Sequence, residues 1–174
     1  MDTSVSLLMV CMGNICRSPT AHGVMRARIA ERGWQPWVQV DSCGTHAYHA
    51  GEPADHRAQQ HALRRGYDLS DLRARQVQAE DFRRHDLILA MDHENMARLE
   101  QQCPAALQHK LHLLTQFCTR HRSATVPDPY YGGANGFEKV LDLVEDACDG
   151  VLDHLARLHP QLPPPASGTA TGHP

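Results

Sequence analysis

Apolar residues fall in two patterns along this chain, short unbroken runs and stripes at helical spacing, and the two alternate. Ser4 to Cys11 (SVSLLMVC) is a continuous β-compatible run, the pattern of a strand covered on both faces as in a parallel sheet. Asp86 to Met91 (DLILAM) predicts a second buried strand, and Val38 to Asp41 and Lys110 to Leu114 predict two weaker ones. From Phe137 to Leu158, the residues Phe137, Val140, Leu141, Val144, Ala147, Cys148, Val151, Leu152 and Leu155 recur at intervals of three and four, which predicts a long amphipathic helix. Ser18-Pro19 is a good helix start, with Ser18 able to cap and Pro19 tolerated in the first turn, and Gly33 is placed to end that helix. Ala54 to Arg65 reads as another helix, ending at Gly66. Strands alternating with helices predict an α/β fold, a single-domain three-layer sandwich with a central, mainly parallel four-stranded sheet flanked by helices. The domain is expected to occupy residues 1–159. After His159 the composition shifts to Pro, Gly, Ala, Ser and Thr with Leu162 the one large apolar residue, so 160–174 is expected to be a flexible tail.

Composition narrows the class without naming a chemistry. The 174 residues, 41% hydrophobic and 21% charged, suit one ordinary globular domain. No apolar run approaches the ~20 residues that cross a bilayer, and Met1 to Val10 carries Asp2 and no basic residue, unlike a secretory signal. A cytoplasmic protein without membrane insertion is therefore expected. A formal net charge of -3 lacks the basic excess of a nucleic-acid binder. The six cysteines read as thiols rather than a disulfide framework.

The chemistry concentrates between the first strand and the first helix. Cys11-Met12-Gly13-Asn14-Ile15-Cys16-Arg17-Ser18 sits at the carboxyl end of a strand, where open α/β sheets bind ligands. A loop that curls into a helix start aims backbone N–H groups inward, Gly13 and Asn14 tolerate the backbone angles this requires, and the helix dipole adds positive potential. Such a nest binds a tetrahedral oxyanion. Arg17 would close it with a planar fork that holds two phosphate oxygens. Cys11 would lie at its base, where the same field favours a nucleophilic thiolate, and Ser18 would either cap the helix or donate to that thiolate. Zinc is disfavoured because no second ligand pair follows Cys11 and Cys16, and the pairs His46/His49 and His109/His112 lack accompanying carboxylates or cysteines.

Val10 to Pro19 (VCMGNICRSP) resembles the signature loop of the low-molecular-weight protein tyrosine phosphatases, and Asp128-Pro129-Tyr130-Tyr131 resembles their general-acid loop. The resemblance extends through Asp41 to Thr45, Ala74-Arg75-Gln76, Met91-Asp92 and the last helix, about residues 4 to 158. It implies hydrolysis of phosphotyrosine through a phosphocysteine intermediate: Cys11 as nucleophile, Arg17 and the backbone of Met12, Gly13, Asn14, Ile15, Cys16 and Ser18 as the phosphate site, and Asp128 as acid and then base. Read from the residues alone, Asp128 is only a turn residue. The resemblance also implies that Tyr48, Tyr130 and Tyr131 stand at the pocket rim, with Tyr48 and Tyr130 as walls for an aromatic ring. Cys16 would trap oxidised Cys11 as a reversible disulfide. No cofactor or metal is implied. The implied partners are phosphotyrosine-containing proteins, among them a bacterial tyrosine kinase, acted on by a monomer or weak dimer.

Three alternatives are weighed against this. Thioredoxin-coupled arsenate reductases share a similar loop but need a further cysteine pair near mid-chain, and none lies between Cys43 and Cys103. Arginine phosphatases tend to have threonine where this loop has Ile15. A non-catalytic phosphate-binding module would be expected to lose the nucleophile or the acid. One departure from the family stands out: a histidine commonly precedes the Arg-Ala-Arg-Gln run and fixes the loop asparagine, whereas this chain has Leu72. That leaves Ser42 and Ser18 as partners for Asn14.

Overall fold

A computed structural model describes residues 4–130 and 133–164. Its centre is a four-stranded, all-parallel sheet in the order β2-β1-β3-β4, formed by β1 (Val5–Cys11), β2 (Val38–Gly44), β3 (Leu87–Ala90) and β4 (Leu111–Leu113). Both neighbours of β1 run parallel to it, with Leu7 opposite Val40 on one side and Leu87 on the other. The unbroken apolar run of β1 follows from this central place. Leu7, Met9 and Cys11 face the cluster that contains Val24, Met25, Val144 and Val151, while Leu8 and Val10 face Phe82 and Leu99.

Helices cover both faces: α1 (Arg17–Glu31), α2 (His56–Arg64), α3 (Ala79–Arg84), α4 (His93–Gln102) and α5 (Ala134–Leu158). None among the described residues is long and apolar enough to cross a membrane. The expected apolar stripe of α5 is buried from Phe137 to Leu155, and this α/β sandwich is the architecture that the strand and helix patterns imply. Gly33 and Gly66 follow α1 and α2 at φ of 72° and 90°, where a side chain would be strained. Two helices, α3 and α4, were not expected. They are short, and a carboxylate serves the N-terminus of each: Asp81, in the first turn of α3, accepts from the N-cap Gln78 N at 2.7 Å, and Asp92, the N-cap of α4, accepts from Asn95 N at 2.8 Å.

The chain stays packed past the expected end of the domain at His159. Leu162 is buried in the main core cluster, and Trp34 Nε1 donates to Pro163 O at 2.6 Å. The expected tail is thus corrected at its first residues, because one leucine and an indole N–H in need of an acceptor draw them onto the domain. Residues 165–174 lie outside the described residues.

His22 in α1 carries a pH dependence of its own. It is buried with Nδ1 2.9 Å from Ser42 Oγ, and burial lowers its pKa to about 4 from 6.5, against a partly opposing effect of Asp41. Between those values the unfolded chain binds the proton that folded His22 refuses, so stability falls as pH drops from 6.5 toward 4. The loss should reach about 3 kcal/mol at full effect. His85, buried and also lowered, acts in the same direction. Urea unfolding at a series of pH values should show this slope, shallower in His22→Gln; an equal slope in the variant would exclude His22 as a source.

Candidate active site

The segment after β1 bends back on itself to enter α1, and nearby backbone holds it there. Thr45 N donates to Cys11 O at 2.9 Å and His46 N to Met12 O at 3.1 Å. Gly44 makes this approach feasible, since a Cβ there would stand 2.6 Å from Met12 O. Asn14 adopts a left-handed conformation at φ 58°, which asparagine accepts more readily than most residues.

Both ends of the Asn14 amide are engaged without a histidine. Its Nδ2 donates to Ser18 Oγ at 2.7 Å, and its Oδ1 accepts from Arg75 N at 3.0 Å. Of the two serines expected as partners, Ser18 serves, while Ser42 pairs with His22. Leu72 has joined the main core cluster. Arg75 itself is held by Asp41 at 2.9 Å and by Asp81 at 2.8 Å.

Ser18 does not cap α1. The N-cap residue is Cys16, which makes no side-chain cap, and Ser18 Oγ lies 3.0 Å from Cys11 Sγ, with Ser18 N at 3.4 Å. The uncapped first turn leaves N–H donors for the pocket, and one of them already points at the thiol.

Arg17 is buried, 3% exposed, and anchored from one side. Its Nη1 donates to Asp92 Oδ2 at 2.6 Å and to Val126 O at 3.1 Å, and Nη2 lies 3.8 Å from Asp128 Oδ2. Burial opposes its charge, but Cys11, the Asp92 hydrogen bond and Asp128 outweigh it and raise its pKa above the ordinary arginine value. Asp128 is partly exposed, and its Oδ1 accepts from Tyr130 N at 3.0 Å. Cys16 is buried, and burial, then Asp55, Cys11 and Asp128, push its thiol pKa far up, with Arg57 opposing.

These groups surround a cavity of about 380 Å³ lined by Cys11, Met12, Gly13, Ile15, Cys16, Arg17, Tyr48, His49, Asp128 and Tyr130. Asn14 and Ser18 are not on its wall but behind it, and Tyr131 lies outside the described residues. Tyr48, 69% exposed, stacks on His46 with centroids 4.8 Å apart. Tyr130 forms the other rim beside Arg57.

In the sequence Arg57 has no signal of its own, Asp92 is marked only as part of the family resemblance, and neither Asp92 nor His49 is given a role at the site. Asp92 stands 75 positions from Arg17, and apart from the resemblance at Met91-Asp92 its local pattern marks only a helix N-cap. His49 had been weighed only as a metal ligand, yet it lies against Gly13 and pairs with Glu52 at 3.2 Å.

A thiol at the floor, a buried guanidinium in the wall and a carboxyl group at the mouth, all at the carboxyl edge of a parallel sheet, are what a thiol-dependent phosphatase requires. Comparison with known proteins reaches the same class. The chain belongs to the low molecular weight phosphotyrosine protein phosphatase family, whose model matches residues 6–161, and it is a phosphatase of the protein-tyrosine class. It is 42% identical over 146 residues to a low molecular weight protein-tyrosine-phosphatase of Streptomyces coelicolor, covering 82% of this chain and 88% of that protein. Among solved structures, a protein tyrosine phosphatase from Entamoeba histolytica with Hepes in the active site matches at a TM-score of 0.87 and 42% identity, over 88% of this chain and 98% of that one. YfkJ from Bacillus subtilis matches at 0.82 and 33% identity, over 90% and 97%.

Proposed function

We propose that the protein hydrolyses phosphotyrosine in proteins, with Cys11 as nucleophile, Arg17 and the backbone from Met12 to Ser18 as the phosphate site, and Asp128 as general acid and then base. The observation that carries this reading is the pair of contacts on Cys11 Sγ, from Ser18 Oγ and Ser18 N, at the floor of a cavity whose wall and mouth hold Arg17 and Asp128. Asp92 and Val126 occupy Nη1 of Arg17, which leaves the Nε and Nη2 edge for two phosphoryl oxygens. Cys11 Sγ then forms a bond to phosphorus as the bond to the phenolic oxygen breaks, and Asp128 delivers a proton to that oxygen. In the second step Asp128 takes a proton from water, which attacks phosphorus and returns Cys11 as thiolate and phosphate as product. Tyr48 and Tyr130, which both line the cavity, stack with the substrate ring. Tyr131 is retained as a rim contact on the family resemblance alone.

The substrate class is tested by side-by-side turnover of phosphotyrosine, phosphoserine and phosphoarginine peptides and of arsenate with thioredoxin. Phosphotyrosine should dominate, and faster turnover of phosphoarginine or arsenate would overturn the reading. The partners would be tyrosine-phosphorylated proteins, a bacterial tyrosine kinase among them, met by a monomer or weak dimer in the cytoplasm. The six cysteines, all free thiols, support a reducing compartment.

Cys16 is proposed as the trap for oxidised Cys11. Peroxide converts the Cys11 thiolate to a sulfenic acid, and the Cys16 thiol displaces water from it to form a disulfide. Mild peroxide should therefore inactivate the protein reversibly, with a Cys11–Cys16 linkage in the peptide map. Sulfinic Cys11 beside free Cys16 would exclude the trap.

A further inference from the structure

Asp128 can serve a substrate held at Cys11 only if its segment has a tie to the phosphate loop. Arg57, in the first turn of α2, provides one. Its Nη2 donates to Tyr130 O at 2.9 Å, and its guanidinium carbon lies 5.4 Å from the centroid of the Tyr130 ring and 4.9 Å from that of Phe137 at the start of α5. Its Nε is 3.4 Å from Asp55 Oδ1. Asp55 caps α2 and donates its own N–H to Ile15 O of the phosphate loop at 2.7 Å. One continuous path therefore runs from the loop through Ile15, Asp55 and Arg57 to Tyr130, whose N–H holds Asp128 Oδ1.

We propose that Arg57 is a positioning residue for catalysis, which sets the Asp128 carboxyl group at the leaving-group oxygen by fixing Tyr130 against the phosphate loop. This rests on Asp128 being the general acid. A guanidinium suits the task because one planar group can donate to a carbonyl and to a carboxylate while its face lies on an aromatic ring. The three contacts act on separate elements, so the loss of the side chain frees the acid segment without touching Cys11 or Arg17.

The test compares the wild type, Arg57→Gln, Arg57→Lys, Asp128→Asn and the double variant Arg57→Gln with Asp128→Asn. Each is assayed on a phosphotyrosine peptide and on an aryl phosphate with a much more acidic phenol. Arg57 is partly exposed, so its replacement leaves the core intact, and inhibition by inorganic phosphate reports on the loop. Arg57→Gln should lower the pre-steady-state burst rate of phosphocysteine formation on phosphotyrosine by about tenfold, a fraction of the ~10²-fold or more that a general acid supplies. The loss should shrink on the acidic phenol, inhibition by phosphate should stay the same, and Arg57→Lys should recover part of it. In the Asp128→Asn background, Arg57→Gln should have no further effect. Equal losses on both substrates, or the same factor again in that background, would overturn the role of Arg57 alone. Insensitivity of Asp128→Asn itself to the leaving group would overturn the acid assignment, and this inference with it.

Discussion

Cys11→Ser is expected to reduce turnover by ~10⁴-fold or more, the scale on which removal of a covalent nucleophile acts. The change is nearly isosteric, and a hydroxyl at that place keeps a partner in Ser18 Oγ, now 3.0 Å from Sγ. What it loses is the sulfur nucleophile, because a serine hydroxyl attacks phosphorus poorly. Inorganic phosphate should still bind, since the nest and Arg17 are untouched. Single-turnover assays with rapid acid quench should find no phosphoenzyme. More than a trace of steady-state activity in this variant would sink the phosphocysteine mechanism.

Asp128→Asn should slow hydrolysis of phosphotyrosine by ~10²–10⁴-fold, the usual range for a general acid. Asparagine retains an Oδ1 that can accept from Tyr130 N, the contact of Asp128 at 3.0 Å, so the turn is preserved while the proton is lost. With an aryl phosphate whose phenol is far more acidic, the leaving oxygen needs less protonation, so the loss should shrink in the formation of phosphocysteine. Pre-steady-state bursts on the two substrates separate that step from hydrolysis of the intermediate, where Asp128 acts as base whatever the leaving group. Equal losses in the burst rate would make Asp128 a structural residue and reopen the search for the acid.

Several features of this protein are determined by the sequence itself, because they depend on short-range pattern. The run from Leu7 to Cys11 is apolar on both sides of the pleat because both faces of β1 are covered, and the stripe on α5 needs only helical periodicity. Gly33 and Gly66 mark helix ends by their own backbone freedom. The loop from Cys11 to Ser18 is legible for the same reason, since strand, glycine, asparagine and helix start are contiguous and the family resemblance adds Asp128 and the tyrosines.

Only tertiary structure decided the contacts that tune those parts. Ser18 could cap α1 or meet the thiol, and it meets the thiol because Asn14 Nδ2 and Cys11 Sγ converge on its hydroxyl once the loop has closed. Arg75 supplies Asn14 with a backbone N–H from 61 positions away, and Asp92 anchors Arg17 from 75. No periodicity encodes such pairs, because each side chain has many solvated alternatives until the sheet brings two loops together. Gly150 shows the same limit within α5: a Cβ there would run into the Phe117 carbonyl, a contact that no local pattern marks. Leu162 and Pro163, read as part of a flexible tail, are held on the domain because Leu162 is buried in the main core cluster and Trp34 Nε1 donates to Pro163 O.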